Sequence, residues 1–365
     1  MLSLKMTKEK YDIQELYKYL SNKPWRFLKP PRFEIKYRKN NLKQTNIKIA
    51  VILLNMGGPD SLETIEPFLN NLFKDPDIFK IPFGQKLFAK VISKLRTKKV
   101  VEQYKQIGGK SPQNEHTETQ RKLLENSLRN AGVDVDVLVA MRYWKPLTNE
   151  TVNKVNSVAY DKIILLPLYP HFSSVTTGSS FNEWWRHFNG DKSKVIQINN
   201  FHTEHKYLSA ISERIDECLK QFPEEAKDNI ELLFSAHSVP QSLIANGDPY
   251  QEQILESIRL IMELRNNSEK HHISYQSKVG PVKWLVPSTE EKIAELGKSG
   301  IKNLLVIPIS FVSDHIETLF ELGIEYRKVA EENGITNYKV MTGLNDSQLF
   351  IEQLHQLVLN ELNNE

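Results

Sequence analysis

The sequence predicts an α/β protein of two doubly wound (Rossmann-like) domains, each with a roughly four-stranded parallel sheet and an active-site cleft between them. Three observations carry that prediction. Eight short apolar, β-branched runs follow one another, at residues 47–54, 135–140, 163–168, 195–198, 230–234, 273–275, 304–309 and 338–341. Longer amphipathic stretches, such as 115–131 and 250–264, separate most of them. Polar, aromatic and glycine-rich turns gather just after the runs, in both halves of the chain.

Each element has a local reason. Strands covered on both faces read as near-continuous hydrophobic runs, so the uninterrupted pattern marks parallel sheets with helical crossovers. The first run opens into Asn55-Met56-Gly57-Gly58-Pro59, and the second into Met141-Arg142-Tyr143-Trp144. The third leads to Tyr169-Pro170-His171 and then Thr176-Thr177-Gly178-Ser179-Ser180. A junction near 199–205 ends the first domain, 47–200, and begins the second, 201–344. The fifth run ends in Ser235-Ala236-His237-Ser238, and the sixth in Gln276-Ser277-Lys278. The seventh leads through Ser310-Phe311-Val312-Ser313-Asp314-His315-Ile316 to Glu317. A last helix around 348–362, within the segment 345–365, is expected to pack back on the first domain. Ligands of open α/β sheets bind outside the carboxyl ends of the strands, so these turns point to one cleft between the domains.

Composition narrows the function classes. The chain has 365 residues, with 48 Lys+Arg against 45 Asp+Glu. Residues 1–50 hold 13 of those bases and only 4 of the acids, so a basic N-terminal extension, 1–46, precedes a mildly acidic body. Such a body argues against nucleic acid as a partner. The basic head reads as an import segment, a tether to anionic lipid or a solvated extension. The single cysteine, Cys218, excludes a disulfide framework and any zinc or iron–sulfur site built from one chain's thiolates. It reads as a helix-packing thiol. No apolar run approaches the roughly 18 residues of a membrane helix.

Nucleotide chemistry fits poorly. Asn55–Pro59 lacks the G-x-G-x-x-G spacing, and Gly109-Lys110-Ser111 lacks the upstream glycine of a phosphate loop, because Tyr104 stands there. No G-x-S-x-G marks a hydrolase nucleophile. Three other features carry chemistry. His237 stands where a buried run opens, a place for an imidazole that accepts a proton or ligates a metal. Glu317, Glu321 and Glu325 follow at i, i+4 and i+8, so on a helix they form a carboxylate column suited to hydrated divalent cations or protons. In 83–95, Phe83, Leu87, Phe88, Val91, Ile92 and Leu95 form an apolar stripe, with Lys86, Lys90, Lys94, Lys98 and Lys99 on the other side. That stripe is either a core-facing face or a greasy, cationic lip, 78–95, over a flat apolar ligand or a bilayer surface. Arg96, Tyr104 and Ser111 follow, suited to carboxylates on such a ligand.

These motifs resemble the ferrochelatase family across roughly residues 47–345. The resemblance rests on Leu54 through Pro59, Tyr104 through Pro112, Met141-Arg142-Tyr143, Leu166 through Pro170 and Thr176 through Ser180. Ser235-Ala236-His237, Gly247 through Tyr250, Tyr275 through Trp284 and Ser313 through Glu317 complete it. It implies insertion of Fe2+ into protoporphyrin IX to form protohaem, the last step of haem biosynthesis. His237 and Glu317 would be the catalytic and metal-handling pair, with Glu317 facing His237 across the macrocycle. Met56, Arg96, Tyr104, Ser111, Arg142, Tyr143 and Phe311 would bind the porphyrin, while Asp314, His315, Glu321 and Glu325 would form a proton or metal path. No tightly bound cofactor is expected and, with Cys218 alone, no [2Fe–2S] cluster. Peripheral membrane contact through the lip and a homodimer are further expectations. The basic extension suggests a mitochondrion (inner membrane, matrix side) or another organelle, with a bacterial-type cytoplasm as the alternative. Gly323 stands where the family often has an acid, and His171 where Gln is common. Rival readings are a coproporphyrin or cobalt chelatase and a non-catalytic porphyrin- or haem-binding protein.

Overall fold

A computed structural model of the protein describes residues 47–79, 81, 83–278, 280 and 282–363. The basic extension and the roles expected of it lie outside these residues. The eight strands are β1 (Ile49–Asn55), β2 (Val135–Met141), β3 (Lys162–Pro167), β4 (Val195–Gln197), β5 (Ile230–His237), β6 (His271–Gln276), β7 (Asn303–Pro308) and β8 (Asn337–Val340). Every predicted run is therefore a strand, with ends shifted by at most three residues. Two four-stranded sheets result, ordered β2-β1-β3-β4 and β6-β5-β7-β8, and every pairing is parallel.

The two sheets share one topology, and it dictates where a site can form. In each, the first strand lies centrally, its successor pairs on one side and the third on the other. The order reverses between β1 and β3 and between β5 and β7, and the crevice at such a reversal receives ligands. Central strands β1 and β5 are almost wholly buried, as their apolar runs require.

The lobes are fused more closely than two domains joined by a linker. One apolar cluster contains Val51, Leu53 and Val137 of the first sheet, Leu232, Phe234 and Ile307 of the second, and Phe350 and Leu354 of the final helix. That helix, Gln348–Asn363, packs on the helices Gln113–Asn130 and His205–Leu219. Gln120 adds a polar tie, donating from Nε2 to Ser313 Oγ (3.0 Å) and to the Asn345 carbonyl (2.7 Å). Cys218 is buried in the shared cluster. His171 is also buried: Nε2 lies 2.9 Å from Ser257 Oγ, and burial drives its pKa well below the usual imidazole range.

Candidate active site at the carboxyl ends of β5 and β7

His237 is the last residue of β5, and its backbone is fixed from two sides. Its N–H donates to Ser310 Oγ just beyond β7 (2.9 Å), and its carbonyl accepts from the Tyr250 hydroxyl (3.0 Å). Its Nδ1 lies 2.9 Å from Glu317 Oε2, while Nε2 has no protein partner among the described residues. About 36% of the side chain is exposed, so the ring forms a cleft wall reachable from outside. The Phe311 ring meets it edge-on at 6.2 Å and lies 4.2 Å from the His315 ring, propping both imidazoles.

This geometry corrects one expectation. A macrocycle cannot lie between His237 and Glu317, because the two are hydrogen-bonded to each other. Both belong to one side of any ring held in the cleft. The reason is topological: β5 and β7 are neighbours, so the segment after β7 delivers Glu317 directly onto the residue ending β5.

Glu317 begins a π-helix, Glu317–Glu325, where an ordinary helix was expected. Extended π-helix is rare and concentrates at functional sites. Its carboxylate also lies within reach of Ser277 Oγ (3.1 Å) and Gln276 Nε2 (3.4 Å). Ser277 in turn donates its backbone N–H to Glu321 Oε1 (2.9 Å), and its hydroxyl lies 2.5 Å from Glu321 Oε2. The Tyr326 hydroxyl donates to Glu321 Oε1 (2.7 Å), and Glu325 is exposed at the far end. Ser277 holds φ at +65°, a left-handed conformation unfavourable to a non-glycine residue. Its hydroxyl hydrogen can satisfy only one carboxylate at a time, so contact with both favours a proton shared between Glu317 and Glu321.

The electrostatics agree with that sharing. Burial pushes the His237 imidazole down, but the Glu317 carboxylate, followed by Glu321, outweighs it and leaves the pKa above its usual value. Burial pushes Glu317 up, and His237, then His315 and Ser277, reverse this, holding it well below the usual carboxylate range. Burial and the Glu317 charge raise Glu321. His315 is lowered, chiefly by burial. Its Nδ1–H donates to the Ser313 carbonyl (3.2 Å), which leaves Nε2 buried without a hydrogen bond, 4.0 Å from Glu317.

Asp314 is placed otherwise than a path requires. Its carboxylate accepts from Thr318 Oγ1 (3.0 Å), Gly343 N–H (3.1 Å) and Asn345 Nδ2 (2.8 Å). It clamps the turn before the π-helix, and its lone pairs are committed there.

The first lobe supplies the opposing wall. Met56, Tyr143 and Ile316 belong to one apolar cluster, so the neighbour of Glu317 packs directly on the first lobe. Tyr143 donates its N–H to the Met56 carbonyl (3.0 Å), and Arg142 its N–H to the Asn55 carbonyl (2.9 Å). The Tyr104 phenol is raised chiefly by burial, against a hydrogen bond with Ser111, and the Glu317 charge raises it further. Residues from both lobes thus share one site. Gly58 permits it: a Cβ there would lie 2.4 Å from Ser111 Cβ. Arg96 stacks over Phe73 (5.8 Å) and has no carboxylate partner among the described residues.

The apolar stripe faces outward on the helix Gln85–Lys105 rather than into the core. Phe83 is 93% exposed, Leu87 68% and Leu95 71%, while Ile92 packs inward. Among the described residues, no group of three or more His, Cys, Asp or Glu is arranged to hold a metal ion, so His237 and Glu317 form a pair rather than a cage. No described helix is long and apolar enough to cross a membrane.

Sequence reasoning did not single out Ser277, Gln276, Ser310, Tyr326 or Asp75. Only the first three carried a signal, as polar residues at the ends of buried strands.

Comparison with known proteins agrees with this architecture. A family profile described as Ferrochelatase matches residues 48–362. A protein of Aquifex aeolicus named Ferrochelatase is 48% identical over 319 residues, covering 87% of this chain and 100% of its own. One of Geotalea uraniireducens with the same name is 47% identical, covering 87% and 99%. Another, of Gloeothece citriformis, is 47% identical, covering 86% and 83%. With the profile spanning nearly all described residues and relatives this similar over their own lengths, the chain belongs to the ferrochelatase family.

Proposed function

We infer that the chain is an enzyme that inserts Fe2+ into protoporphyrin IX to form protohaem. The observation that carries this, beyond family membership, is the Glu317–His237 pair with its free Nε2 on the cleft wall. Metallation breaks two pyrrole N–H bonds, and the ring dianion's four nitrogens take the metal. A carboxylate that accepts from Nδ1–H fixes the tautomer and raises the basicity of Nε2, so Nε2 accepts the pyrrole protons. Glu317, the Ser277 hydroxyl, Glu321 and Tyr326 form a chain of contacts from the cleft towards exposed Glu325, by which a proton leaves. Without a closed cage of protein ligands a divalent cation is held weakly here, which suits a metal that must be handed on. Arg96, with no internal counter-ion, and the Tyr104 and Ser111 hydroxyls are the donors for porphyrin carboxylates.

The exposed apolar lip favours protoporphyrin over the more acidic coproporphyrin. It also favours seating on a bilayer surface, with its lysines against anionic headgroups. An organellar address rests on the basic head alone: fused to a fluorescent reporter, residues 1–46 carry it into an organelle, whereas a cytosolic reporter supports the bacterial-type location.

Anaerobic turnover tests the whole reading. Purified protein with Fe2+ consumes protoporphyrin fluorescence and yields haem absorbance, faster than with coproporphyrin or with Co2+. Binding of porphyrin or haem without turnover identifies a carrier instead.

A further inference from the structure

Asp75 lies at the base of the lip, and its side chain is only 1% exposed. One oxygen, Oδ2, accepts from Arg142 Nη2 (2.6 Å), the Tyr143 hydroxyl (2.6 Å) and Ser179 Oγ (2.7 Å). The other accepts the Asp77 N–H (2.8 Å), which shapes the turn into the lip. Asp77 is itself tied to the helix Ser179–His187, through Arg186 (2.7 Å) and Asn182 (3.1 Å). Arg142 is 6% exposed; its Nε donates to Ser179 Oγ (2.9 Å), and Nη1 lies 3.3 Å from Glu183. Its guanidinium is therefore occupied from inside the protein, unlike that of Arg96, and is committed to Asp75, Ser179 and Glu183 rather than offered to a porphyrin carboxylate as the resemblance implied.

A buried guanidinium beside the site is costly unless paired, and it opposes a dication strongly where the local dielectric is low. Tyr143, whose hydroxyl Asp75 holds, packs in the same cluster as Met56 and Ile316 beside the Glu317 segment, and the Arg142 guanidinium lies 5.1 Å from the Tyr143 ring. We propose that Asp75 is a positioning residue for metal entry: its carboxylate cancels the Arg142 charge and seats Tyr143, making the cleft wall neutral towards incoming Fe2+. Glu183 is the weaker second counter-ion, with 23% of its side chain exposed. The assignment rests on the chelatase reading above.

Neutralising each charge in turn separates this from a packing role. Asp75→Asn keeps the shape and leaves Arg142 under-compensated, whereas Arg142→Gln leaves Asp75 in excess. The KM for Fe2+ rises at least about threefold in the first and falls in the second, while the porphyrin KM moves less. Glu183→Gln shifts the Fe2+ KM in the same direction as Asp75→Asn, by less, and serves as the measurement should Asp75→Asn not fold. The double variant Asp75→Asn with Arg142→Gln returns the Fe2+ KM towards wild type. Equal rises in Asp75→Asn and Arg142→Gln, or an Fe2+ KM unmoved by loss of either counter-ion, overturn the proposal. Absence of turnover in the wild-type chain overturns the chelatase reading instead.

Discussion

At the scale of single residues, protonation of the His237–Glu317 pair decides what the site can do. The folded pKa of His237 is raised and that of Glu317 depressed. The imidazole's contribution to stability is thus present below its unfolded pKa of about 6.5 and lost as pH rises through the folded value. The carboxylate's contribution is present above its unfolded value of about 4.3 and lost as pH falls through the depressed one. In Glu317→Gln, the loss of thermal stability is therefore expected to peak between these limits and to shrink towards alkaline pH. In the same variant, burial of His237 goes largely unopposed, so NMR titration finds its imidazole pKa lowered. An unmoved pKa contradicts the coupling. Both residues were legible in the sequence, His237 as the polar group ending an apolar run and Glu317 as the head of an i, i+4, i+8 series of carboxylates. Their contact was not, because it depends on β5 and β7 being neighbours, a pairing between segments some 70 residues apart. Asp75 was illegible for a related reason. Nothing near it in sequence hints at Arg142 or Ser179, and its role exists only through those distant donors.

Among the elements, the π-helix and the lip helix show where periodicity informs and where it stops. The i, i+4 spacing of Glu317 and Glu321 correctly brought two carboxylates together, but hydrophobic pattern does not distinguish an i→i+5 ladder from an i→i+4 one. Likewise, the stripe on the helix Gln85–Lys105 was legible, whereas its direction was not, since amphipathicity marks a face without saying what covers it. The structure turns that face outward. Replacing Leu87 and Leu95 by Asp is expected to cut co-flotation with anionic vesicles at least about tenfold, by removing apolar burial and adding like charge. Unchanged flotation contradicts bilayer contact. Turnover with detergent-solubilised porphyrin reports separately on the cleft.

For the molecule as a whole, the two sheets share an apolar core, and the final helix closes it. Strands β1, β5 and β7 were readable because both faces are covered, which forces near-continuous apolar runs, whereas the half-buried outer strands β4, β6 and β8 showed only short ones. The extent of fusion was less readable, since an amphipathic helix following the last strand has two lobes to choose from. Leu354 is fully buried in the shared cluster. Leu354→Ala is expected to cost about 2–5 kcal/mol, lowering the urea midpoint in one cooperative transition. Two separated transitions in the wild type contradict the shared core. Fusion also serves the site, because Glu317 in one lobe must stay in register with Tyr104, Met56 and Tyr143 in the other.

The most direct test of the account is anaerobic haem formation by His237→Ala, with porphyrin binding followed in the same samples by fluorescence. Turnover is expected to fall by about 10²–10⁴-fold, with porphyrin affinity changed little, since the carboxylate donors and apolar wall remain. Near-normal turnover in that variant contradicts an imidazole acting on the pyrrole protons.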